Sequence, residues 1–85
     1  MTFSWRTPIH LIRLVQAIGD IRRAVITRRH KYVYDPADEP ELFDLAADPL
    51  ETKNIAGEAA SRETLHALHD TGRRWAAEHN DFVEW

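Results

Sequence analysis

The chain has 85 residues, a net charge of −3, 44% apolar and 29% charged residues, and no cysteine. That length makes one domain at most, burying only about 60–65% of the surface its unfolded form exposes. The missing cysteine excludes disulfides, thiolate metal sites and a cysteine nucleophile. No apolar run approaches the roughly 18–20 residues that span a bilayer. Residues 1–20 lack the clean apolar stretch and small-residue cleavage site of a signal peptide, so a soluble chain of unidentified compartment is expected. Charge is segregated: seven basic residues and one acid lie up to Lys31, then eight acids and one base from Tyr32 to Glu58. Such asymmetry predicts that the two segments face each other, or that the basic one faces a partner. Without a nucleic-acid reader motif or a basic balance, no nucleic-acid partner is expected.

In chain order, Thr7-Pro8 reads as a helix start, and Ile9, Leu11, Ile12, Leu14, Val15 and Ile18 follow at spacings near three and four. The pattern predicts a short amphipathic helix over 8–18, stopped by Gly19, with a buried strand as the alternative. Arg23-Ala24-Val25-Ile26-Thr27-Arg28 is rich in strand formers. Arg28-Arg29-His30 reverses direction, and Lys31-Tyr32-Val33-Tyr34 is a second strand with its tyrosines on one face. Pro36 and Pro40, among three acids, define a loop. Glu41-Leu42-Phe43-Asp44-Leu45 is a third strand, either with Phe43 and Leu45 toward the core or covered on both sides. Three antiparallel strands need a cover. Residues 59–78 supply it as a helix, with Leu65, Leu68, Gly72, Trp75, Ala76 and His79 on one stripe. Gly72 costs such a helix about 1 kcal/mol against alanine and points to close packing against a sheet side chain. The expected fold is α+β: about three antiparallel strands packed by a long C-terminal helix, with a short N-terminal helix.

Few residues suggest chemistry. Asp48-Pro49-Leu50-Glu51 reads as a capped helical turn with a capping box. Grouping Asp48, Glu51 and Glu41 around a hard cation falls short of six oxygen ligands. His66 and His69 sit one helical turn apart, but a zinc site needs a third ligand. No nucleophile–base order or glycine-rich phosphate loop occurs. Arg28, Arg29, His30 and Lys31 form the one cluster suited to a sulfate or phosphate. The competing reading is a solvated turn that pairs with the acidic loop after Tyr34.

Arg23 through Tyr34, then Glu41-Leu42-Phe43-Asp44-Leu45, then Asp48-Pro49-x-Glu51-x-x-Asn54 together resemble the C-terminal module of the sulfatase family. Its members carry an arginine-led strand, an R-Y-K-Y turn, an E-L-Y-D-L strand, and D-P-x-E-x-x-N-L before a helix bearing a tryptophan, here Trp75. His30 and Phe43 stand for tyrosines and Ile55 for leucine. The resemblance covers residues 23 to 82, including Asn80-Asp81, and leaves 1–22 as an N-terminal segment without a known counterpart. It implies a small antiparallel sheet carrying a long helix, docked on an α/β catalytic domain. Tyr32, Tyr34, Glu41, Phe43, Asp48, Glu51, Asn54 and Trp75 would be structural, and Arg28, Arg29, His30 and Lys31 would lie at the substrate rim. The family's formylglycine arises from a C/S-x-P-x-R motif beside a calcium ion. That motif does not occur in this sequence, so neither cofactor is expected in this chain, which should be inactive alone. The implied partner is a sulfatase catalytic domain, or a second copy of the chain. The rival reading is an independent binding or self-associating module using Trp5, Trp75, Phe82 and Trp85.

Overall fold

The computed structural model describes residues 14–85. Strands β1 (Leu14–Ala17), β2 (Arg23–Ile26), β3 (His30–Tyr34) and β4 (Glu41–Asp44) are followed by a 3-10 turn (Ala59–Ser61) and helix α1 (Arg62–Glu78). The strands form one antiparallel sheet in the order β1-β2-β3-β4. The fold is therefore α+β, as the sequence predicts, with four strands rather than three.

The extra strand comes from the segment expected to be helical. Leu14–Ala17 pairs antiparallel with β2, placing Val15 opposite Val25. Ile18 N–H donates to the Arg22 carbonyl (3.0 Å), so Gly19 lies in a hairpin connection rather than at a helix end. Val15 is β-branched and gains a cross-strand partner, which favours the strand over a short isolated helix. The rest of the expected helix, residues 8–13, lies outside the described residues.

Register builds the core. Val15, Val25, Tyr32 and Leu42 stand opposite one another across the four strands. Val25, Tyr32 and Leu42 are fully or almost fully buried and meet Leu68 of α1, with Val15, Ile55 and Leu65 at the border. Each such side chain contributes about 1.5–3 kcal/mol by leaving water. Alternation puts Ala24, Val33 and Phe43 on the opposite face, where they are also buried. Arg22, paired with Asp35 (3.8 Å) and Glu41 (3.6 Å), and Lys31, paired with Glu51 (3.0 Å), flank that face. β4 is thus covered on both sides, with Leu42 rather than Leu45 toward the helix.

The outer edge of β4 is closed by the chain itself. Asn54 Oδ1 accepts hydrogen bonds from the backbone N–H groups of Leu42 (2.9 Å) and Ala56 (3.0 Å). Ile55 N–H donates to the Leu42 carbonyl (2.8 Å). Asp48 folds the preceding loop by accepting from the N–H groups of Thr52 (2.9 Å) and Lys53 (2.9 Å). No capping box forms: Glu51 sits at φ 56°, outside any helix, and its carboxylate turns to Lys31.

Helix α1 buries Leu68, Gly72 and Ala76. Asn80 takes a left-handed φ of 54°, and Asp81 N–H returns to the Ala76 carbonyl (2.9 Å), ending the helix in a Schellman-type reversal. Asparagine tolerates that conformation better than most residues. The reversal brings 81–85 back over the sheet end. Val83 is buried, and Trp85 stacks on Tyr34 (4.7 Å between centroids, 14° between planes). A Cβ on Gly72 would overlap the Trp85 indole. The glycine's close neighbour is therefore this returning indole and not a sheet side chain.

Candidate functional site

Two constellations of polar side chains organise the molecule. The first joins the ends of the chain's described part. Arg23, on β2, donates from Nε (2.8 Å) and Nη2 (2.9 Å) to the two oxygens of Asp81, while Nη1 reaches the Gly19, Asp20 and Arg22 carbonyls. Both side chains are less than a tenth exposed. The fork geometry holds the guanidinium charged and pulls Asp81 below the usual carboxylate range. The Phe82 ring, itself exposed, lies against this guanidinium at 5.5 Å. Beside it, Tyr34 Oη donates to the Glu84 carbonyl (2.6 Å). Tyr32 Oη meets His69 Nδ1 at 2.8 Å, and the His69 ring stands edge-on to Tyr32, Tyr34 and Trp85. Burial pushes the Tyr32 phenol up to about 12 and lowers His69, so both are neutral near pH 7. The side chains of this constellation are tied to one another by hydrogen bonds and ring contacts, which suits it to fastening rather than to chemistry.

The second is open. The β2–β3 turn and one side of α1 enclose a cleft of about 540 Å³. Thr27 shapes the turn: its N–H donates to the His30 carbonyl (2.9 Å), and its Oγ1 accepts from His30 N–H (3.0 Å). Arg28, Arg29 and His30 line one wall; Leu68, Asp70, Thr71 and Arg74 line the other. Of the four clustered residues singled out in the sequence, three reach the cleft. Arg28 is exposed and has no ion pair among the described residues. Arg29 pairs with Asp44 (3.1 Å), and His30 is held below its ordinary range chiefly by burial. Lys31 alternates to the other sheet face and pairs with Glu51. The acids that answer this turn come from β4 and the loop after it, not from the loop after Tyr34. Sequence reading did not bring in Asp70, Thr71 and Arg74. The Asp70/Arg74 spacing marks a helix-surface pair, but nothing local says which turn it faces.

The remaining motif residues are structural in position. Asp48 accepts from backbone N–H donors, Glu41 pairs with Arg22, and Glu51 pairs with Lys31. Trp75 is half-buried and stacks on His79 at 4.5 Å. His66 is exposed, while His69 points into the aromatic cluster. Among the described residues no group of three or more His, Cys, Asp or Glu side chains is arranged to hold a metal ion, and no helix is long and apolar enough to cross a membrane. Compared with known proteins, the chain matches no family model and no curated protein sequence.

Proposed function

We propose that the chain is a non-catalytic C-terminal module of a sulfatase-like hydrolase, which packs against an α/β catalytic domain and borders its substrate entrance. One observation carries the reading: the residues on which the resemblance rests are the ones that tie the fold together. Arg23 anchors the segment after α1, Asn54 seals the edge of β4, Asp48 folds the loop between them, and Tyr32 and Tyr34 seat the aromatic cluster. A motif whose residues act as scaffold fits an end-piece of a larger enzyme. The genomic sequence upstream of Met1, read in all frames, tests this. A C/S-x-P-x-R motif within an α/β domain supports it, and binding of that separately expressed domain to this chain would complete it. Turnover of an aryl sulfate by the isolated chain would overturn it.

An independent binding module is the second reading. Burial of Ala24, Val33 and Phe43 on the sheet face away from α1 favours it, because these apolar side chains are already covered within the chain. A cooperative melt, a single defined mass and no upstream catalytic domain would decide for this alternative.

A further inference from the structure

The cleft between the β2–β3 turn and α1 has the size, charge and wall chemistry of a small-ligand site. Its volume of about 540 Å³ lies within the roughly 300–1,000 Å³ typical of such sites. Four guanidiniums stand at or beside it, those of Arg28, Arg29, Arg73 and Arg74. Among the described residues two carboxylates answer them: Asp44 takes Arg29, and Asp70 is shared between Arg73 and Arg74. Two positive charges remain in excess, and Arg28 carries one of them without an internal partner among the described residues. Ala67 and Leu68 add apolar wall between the cationic rims, and His30 offers a hydrogen-bonding ring. A guanidinium fork suits planar and tetrahedral oxyanions alike.

We propose that this cleft binds a small organic oxyanion, a carboxylate or phosphate borne on a short apolar body, held between Arg28 and Arg74. The site is made by this chain alone and does not depend on any role in docking to a catalytic domain.

The test is a titration of the isotope-labelled full chain, followed by amide NMR, with benzoate, phenyl phosphate and inorganic phosphate as separate probes. Saturable shifts are expected at residues 27–30 and 67–74 with one or both aryl probes. Inorganic phosphate should bind more weakly, since it cannot use the apolar wall. Benzoate alone would identify the carboxylate source, phenyl phosphate alone the phosphate source. R28A and R74A should each weaken binding at least about tenfold, and added salt should weaken it further. R62A, on the same helix away from the cleft, should leave it unchanged. Both cleft arginines are exposed, so a thermal melt should show these variants folded. Shifts that fail to saturate with both aryl probes, that map elsewhere, or that persist in R28A and R74A overturn the proposal.

Discussion

Gly72 and Asp81 show how much rests on single side chains here. Alanine is favoured over glycine by about 1 kcal/mol in a helix interior. At Gly72, however, the new methyl would occupy the space of the Trp85 indole, and overpacking costs about 1–3 kcal/mol. The indole Nε1–H is buried without an acceptor among the described residues, so ring packing rather than a hydrogen bond from the indole holds it. Gly72→Ala should therefore lower the melting temperature and red-shift tryptophan emission. Made in a Trp85→Ala background, the same change should raise stability by about 1 kcal/mol. A G72A protein that melts higher with Trp85 present would show that the indole does not sit where described. Asp81 makes a pH-dependent contribution. Its hydrogen bonds to Arg23, more than the pair's mutual attraction, lower its folded-state pKa. Stabilisation is thus complete above the ordinary carboxylate range near 4 and is lost as pH falls through the lowered folded value. The pair is shielded by its neighbours but lies near the surface, so Asp81→Asn should cost about 1–3 kcal/mol at neutral pH. Urea unfolding from neutral pH down to about pH 2 should give a flatter acid limb for D81N; parallel curves would remove the pair from the account.

At the scale of elements, the closure of β4 depends on one amide. Without Asn54, the N–H of fully buried Leu42 loses its acceptor, and segment 54–56 loses its anchor. Leaving such a donor unsatisfied costs about 1–3 kcal/mol. Asn54→Ala should lower stability by about 2 kcal/mol and speed hydrogen exchange at Leu42 relative to Val25, whose strand is paired on both sides. Equal protection at the two amides would show that Asn54 is not the seal. Elements marked by local chemistry were the legible ones. β2, β3 and β4 are bounded by turn-forming residues and prolines, and α1 has a long apolar period without breakers. β1 is ambiguous in the sequence, where a helix is expected with a strand as the alternative, because a short apolar run fits both periods; pairing of Val15 with Val25 decides for the strand. Gly72 was legible as a close contact, but its partner arrives through the reversal at Asn80. The basic turn was legible as half of a cleft. The other half, Asp70 and Arg74, is set by the rotation of α1 on the sheet, which packing of Leu68 fixes and local spacing does not.

Across the whole molecule, stability is concentrated in the return of residues 81–85. A chain of this length holds about 4–13 kcal/mol in all, and its buried area is marginal for a lone domain. The returning segment contributes the Arg23–Asp81 pair, buried Val83, the Trp85 stack and the Tyr34–Glu84 hydrogen bond. Their combined effect is comparable with the total, since one buried apolar side chain alone is worth about 1.5–3 kcal/mol. The contacts also span β2, β3 and α1, so they join the sheet to the helix rather than stabilising either alone. Deleting 81–85 should therefore abolish the cooperative melt and the near-ultraviolet dichroism while leaving part of the helical signal, as in a collapsed state without fixed packing. Trp85→Ala should stay cooperative and melt lower, because the ion pair and Val83 remain. If the deletion variant still melts cooperatively within a few degrees of the full chain, the core row of Val15, Val25, Tyr32 and Leu42 under Leu68 is sufficient by itself. The returning segment would then be free to serve an outside surface, with Phe82 and Trp85 as its contacts.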